Sequence, residues 1–145
     1  MKITLQFFAI TFCAILLSGC SKTGDAPVSE EQKVVNNLTG IGNRVWRLSK
    51  VFVNGVEQAL TSDQKKYTKT YTLNPTLTLA GTFTNSDNNF GQWFTNGPRA
   101  LIEIIVTIGG IQVQIDYIIR EITETTLDIQ YTKNGQTIRE VYYAF

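Results

Sequence analysis

Residues 100–119 read ALIEIIVTIGGIQVQIDYII, and the pattern within them decides the fold. Ala100–Ile108 is an apolar run, and Gly109-Gly110 follows it. Ile111, Val113, Ile115, Tyr117 and Ile119 then alternate with Gln112, Gln114 and Asp116. Successive side chains of a strand point to opposite faces, so a period of two marks a strand with one buried and one wet face. Two glycines between such runs accept the backbone angles of a tight hairpin turn. The stretch predicts a β-hairpin.

The same pattern extends in both directions. Val45–Val53 is a β-rich run that ends at Asn54-Gly55, a strong hairpin signal, and Val56–Leu60 continues it briefly. Tyr67–Leu73 sets Tyr67, Tyr71 and Leu73 against three threonines, with Lys69 sharing the apolar parity. Asn74-Pro75 turns the chain into Thr76–Thr84, where Leu77, Leu79 and Phe83 alternate with threonine. Phe90–Thr95 follows the polar loop 85–89, and Asn96-Gly97-Pro98 leads into Ala100. Thr126–Thr132 and Gln136–Ala144 flank a last Asn134-Gly135 turn. Val, Ile and Thr number 10, 15 and 19 of 145 residues, a stiff β-branched composition. All three prolines (Pro27, Pro75 and Pro98) fall outside the expected strands, as a hydrogen-bonded ladder requires. Eight consecutive strands with short hairpins favour a closed up-and-down barrel over a sandwich. The expected fold is all-β: an eight-stranded antiparallel up-and-down β-barrel. A barrel of this size is filled by side chains or holds one small ligand.

Upstream, Ser29-Glu30-Glu31-Gln32 is a capping-box pattern with two acids in the first turn. Val34, Val35 and Leu38 then share one helical face, and Gly40 and Gly42 can stop it. A short helix is predicted over 29–38. Residues 20–28 are small and polar, broken by Gly24 and Pro27, and read as a flexible tether. Residues 1–19 have a positive Lys2 and an apolar stretch, Ile3–Leu17, too short for a settled membrane span. They read as a secretory signal. Leu17-Ser18-Gly19-Cys20 resembles the lipobox of bacterial lipoproteins. The resemblance implies cleavage before Cys20 and its acylation, with palmitate among the chains, and several chains would make the membrane anchoring stable. It implies a lipid-anchored protein of the cell envelope, at the outer membrane. The expected organisation is signal 1–19, lipidated tether 20–28, and barrel with helix 29–145.

A second resemblance covers residues 40–145. Gly42-Asn43-Arg44-Val45-Trp46-Arg47-Leu48 with Asn54-Gly55, Leu77–Phe83 with Gly91-Gln92-Trp93, and Leu127–Tyr131 with Ile138–Phe145 resemble bacterial lipocalin-like lipoproteins. Gly42 and Trp46 are spaced more widely than the usual opening of that family. The resemblance implies a lipocalin-like barrel with a binding role.

Catalytic chemistry finds little footing. Lys plus Arg is 13 and Asp plus Glu is 12, and losing Lys2 with the leader leaves 12 of each. A neutral chain without a basic patch does not point to nucleic acid. There is no His, so a Ser-His-Asp triad is impossible and the commonest metal ligand is missing. The two cysteines, Cys13 and Cys20, lie at the leader and its end. The remaining carboxylates are Glu103, Asp116, Glu121, Glu124, Asp128 and Glu140. Asp116 and Asp128 take the polar parity and are expected on the solvated outer face, whereas Glu103 and Glu140 could turn inward and would then need partners. No metal, cofactor or enzymatic role is implied, and no partner protein is identified.

The aromatic residues are the remaining resource. Trp46, Tyr71, Phe83, Trp93, Tyr117 and Tyr131, with Tyr142, could line a barrel interior. They are candidates to contact a small apolar ligand, or else plain core. The alternative is a filled barrel that contacts an envelope protein or glycan through loops 54–66 and 85–99, with Phe90, Trp93 and Phe94 as a patch.

Overall fold

The computed structural model describes residues 27–145. The signal segment, Cys20 and residues 20–26 of the tether lie outside the described residues.

Helix α1 (Glu30–Thr39) forms where the capping box predicts it. The Ser29 hydroxyl accepts from the Gln32 amide at 3.1 Å, Glu30 and Glu31 occupy the positive first turn, and Gly40 ends the helix at φ 59°. Its apolar face (Val34, Val35 and Leu38) is buried. Nine strands follow: β1 (Asn43–Val53), β2 (Val56–Gln58), β3 (Thr68–Leu73), β4 (Ala80–Asn85), β5 (Phe90–Thr95), β6 (Ala100–Val106), β7 (Gln112–Ile122), β8 (Thr126–Lys133) and β9 (Gln136–Ala144).

Each strand pairs antiparallel with its neighbours in the order β2-β1-β3-β4-β5-β6-β7-β8-β9, and β1 also pairs with β9. That last pairing runs from Trp46↔Ala144 to Val53↔Ile138 and closes the sheet. β2 is a short flap on the far half of β1, which pairs with β3 only over Asn43–Arg47. Eight strands, β1 and β3–β9, therefore make a closed, lipocalin-like antiparallel up-and-down barrel. The Asn-Gly turns behave as expected: Asn54 and Asn134 take φ 49° and 52°, each followed by glycine at positive φ.

Element boundaries differ from the sequence reading by a few residues, most of all at the start of β4. Thr76–Leu79 alternates well but is not strand, because Asn74 accepts from both the Thr76 amide and hydroxyl at 3.0 and 2.8 Å. Local side-chain bonding beyond Pro75 outweighs the alternation, and Leu77 is exposed. The flap β2 stops at Gln58 instead of Leu60.

The helix plugs one end. Trp46 Nε1 donates to the Leu38 carbonyl at 2.9 Å, Arg44 donates to the Asn37 carbonyl at 2.6 Å, and Asn37 donates to the Ile122 carbonyl at 3.4 Å. The interior above is filled chiefly by Trp46, Tyr71, Phe83, Trp93 and Tyr142. Each such ring buries about 150–250 Å², so aromatic burial is the main stabilising contribution of the core. Two inward positions must be glycine. The Trp93 indole lies over Gly81 and the Phe83 ring over Gly91, and a Cβ at either position would sit 1.9 Å from a backbone oxygen.

Candidate functional site

Strand parity turns Lys69 and Tyr71 of β3, Glu103 of β6 and Tyr117 of β7 toward one another. Glu103 is fully buried and Lys69 only 3% exposed. The Lys69 ammonium donates to both Glu103 oxygens and to the Tyr117 hydroxyl, each at 3.0 Å. Tyr71 donates to Glu103 Oε1, and Tyr117 to Oε2 at 3.1 Å. All three ammonium protons are thus placed, as a buried ion pair requires. Burial opposes the Lys69 charge, but the Glu103 carboxylate overrides it and holds the lysine pKa well above its ordinary value. Glu103 was one of the two carboxylates whose facing the sequence left open. Lys69 was marked by its place in an apolar register.

Glu140 of β9 also turns inward. It accepts from Tyr131 at 3.1 Å and from Tyr142 at 2.5 Å. Asp116 is exposed, as expected. Asp128 keeps its outer-face parity but is buried, which corrects the expectation of a solvated group. Arg139 folds over it with contacts of 2.6–3.1 Å and itself lies 4.7 Å from the Phe52 ring centroid.

The tyrosines report this interior. Burial, reinforced by the neighbouring Glu103 or Glu140 carboxylates, raises the Tyr71, Tyr117 and Tyr142 pKa values well above 10.0, and raises those of Tyr67 and Tyr131 too. A folded-state pKa above the unfolded one means that the native state keeps protons the unfolded chain loses. Stability from these groups, and from Lys69, is therefore full below about pH 10 and declines as pH rises further. Titration of tyrosinate absorbance should show most of the six tyrosines ionising only as the barrel opens, and near pH 10 in concentrated urea. Coincident curves in the two conditions would refute this burial.

A cleft opens where the wall parts. β7 pairs with β8 only from Ile118↔Gln130 to Ile122↔Leu127. Beyond that, Val113–Asp116 and Tyr131–Asn134 diverge around a cleft of about 600 Å³. Its size falls within the usual range for small-molecule sites. Tyr131 lines it, and the Tyr117 ring stands behind, 5.1 Å from Tyr131 at 72°. Among the six aromatic candidates, the structure brings Tyr131 to the cleft, and Tyr117 is buried behind it at 4% exposure. Trp46, Tyr71, Phe83 and Trp93 are packed in the interior at 0–1% exposure. The indole protons of both tryptophans go to backbone carbonyls, Trp46 to Leu38 and Trp93 to Thr72 and Thr82. Burial of Trp93 also removes it from any loop patch, leaving Phe90 exposed. The cleft had no local signal in the sequence, because it depends on where pairing stops. Among the described residues, no cluster of three or more Cys, Asp or Glu could hold a metal ion.

No family model matches the chain, and no curated protein matches it. A solved structure described as "Structure of EF1p2_mFAP2b bound to DFHBI" is similar at 16% identity, over 78% of this chain and 98% of that one, with a TM-score of 0.40.

Proposed function

We propose that this chain is a noncatalytic binding barrel, lipid-anchored in the bacterial cell envelope at the outer membrane, that takes a small, largely apolar ligand. The observation that carries the binding role is the cleft of about 600 Å³ between β7 and β8, with Val113, Ile115 and Tyr131 on its walls. The anchoring rests on the Leu17-Ser18-Gly19-Cys20 lipobox pattern. Helix α1 packs near Ile122, at the end of β7, and the cleft is lined by Val113–Asp116 at the other end of that strand.

Native mass spectrometry of the gently extracted full chain, set against the denatured chain, tests the binding role. A reproducible extra mass that leaves on denaturation is expected. A single species of bare lipidated mass would overturn it. Incorporation of labelled palmitate tests the anchor, and Cys20→Ser is expected to abolish it.

The second reading is a barrel that contacts an envelope protein or glycan through its loops. It is favoured by Val56 and Phe90 within loops 54–66 and 85–99, which are 64% and 54% exposed.

A further inference from the structure

The cleft carries a charge preference, and this inference rests on the reading that the cleft is a ligand site. Lys69, Glu103 and Glu140 are the charged groups of the polar network within the barrel. Lys69 and Glu103 neutralise one another at 3.0 Å. Glu140 belongs to no ion pair among the described residues. Its hydrogen-bond donors are the hydroxyls of Tyr131 and Tyr142. Tyr131 is both the wall of the cleft and a donor to this carboxylate. Glu140 is half-buried, and a partly desolvated carboxylate without a counter-charge is an arrangement that a cationic guest relieves.

The barrel already contains the arrangement such a guest would repeat. The Lys69 ammonium lies against a carboxylate, with the Tyr117 ring centroid at 4.7 Å and that of Tyr142 at 5.9 Å. Tyrosine faces attract ammonium groups, and more strongly when water is excluded. At Glu140 the same parts recur, with Tyr131 and Tyr142 as hydroxyl donors and Tyr117 stacked edge-on to Tyr131. Two further charges stand at the rim, Asp116 on β7 and Lys133 on β8, both exposed. They are of opposite sign and do not reverse the interior preference.

We propose that the cleft between β7 and β8 selects small amphiphiles bearing an amino group, with Glu140 as counter-charge and the apolar tail along Val113 and Ile115. A free amine and an amine-headed lipid share this chemistry.

The test uses the full lipidated chain in nanodiscs of zwitterionic choline lipid, with empty nanodiscs as blank. Hexylammonium, hexanol and hexanoate share one tail and differ in head charge. Hexylammonium is expected to bind on the order of tenfold more tightly than hexanol, with hexanoate weakest. Its amide shifts should cluster at residues 113–116, 131–134 and Glu140. Glu140→Gln is expected to bring hexylammonium down to the affinity of hexanol. The shift map of the unaltered chain remains decisive even if that variant folds poorly. Equal binding of hexylammonium and hexanol would overturn the charge preference and leave the cleft as a ligand site. Preference for hexanoate, or shifts elsewhere, would also overturn it. Failure of all three to bind would remove the ligand reading together with this one. Phosphatidylethanolamine added to the nanodiscs separates the sources. Shifts at the same residues identify a lipid headgroup, and shifts from hexylammonium alone identify a free amine.

Discussion

Lys69→Met is expected to destabilise the barrel by about 3–5 kcal/mol, because it leaves a buried carboxylate without its cation. The side-chain volume is nearly kept, so the loss is electrostatic. Glu103 would retain only the hydroxyls of Tyr71 and Tyr117. For a single domain, stable by about 5–15 kcal/mol, this is about a fifth of the total or more. The second substitution Glu103→Gln, made in the same chain, removes the stranded charge and keeps an acceptor for Tyr71. Lys69→Met with Glu103→Gln should therefore recover at least half of the loss, a coupling that urea denaturation of both single variants and the double variant measures. A cost below about 1 kcal/mol for Lys69→Met alone would show that solvent reaches the pair, since exposed pairs contribute no more.

Gly91→Ala is the second large effect. The added Cβ would lie 1.9 Å from the Ile104 carbonyl oxygen and 2.8 Å from the Phe83 ring. The carbonyl belongs to the β5–β6 ladder, where Gly91 faces Ile105, so it cannot withdraw without breaking strand pairing. A cost of about 3 kcal/mol is expected, at the upper end for overpacking. Gly109→Ala is the control, because its Cβ would meet only the Thr107 hydroxyl, at 3.9 Å. That substitution should stay within about 0.5 kcal/mol. Thermal unfolding of the two variants side by side decides it, and equal melting temperatures would sink the steric account.

These two sites also show what a sequence can disclose. Alternation places Phe83 inward, but it cannot say that the ring lies over Gly91, or that Trp93 leaves the expected loop patch to lie over Gly81. That is a matter of cross-strand register. Lys69 in an apolar register and Glu103 in an apolar run were each visible as anomalies, and their meeting across the barrel was not. The helix was legible because capping is local. Thr76–Leu79 misled because a local Asn74 turn competes with the period of two. Asp128 kept the predicted face, yet its burial depends on Arg139, a residue of the next strand. The cleft was illegible for the deepest reason: it is set by the absence of pairing between segments that each look like good strand.

The pairing of β1 with β9 has a consequence for how the molecule is made. The first strand to be synthesised finds its longest partner in the last. Every other neighbour in the ring is consecutive, so hairpins can assemble as they emerge, but the ring cannot shut until Ala144 is released. Until then β1 and β8 both present unpaired edges, the arrangement most prone to joining a second chain. Such long-range closure is intrinsically slow. The barrel thus stays open until β9 has emerged to pair with both β8 and β1. A truncation within Gln136–Ala144 would strand two edges at once.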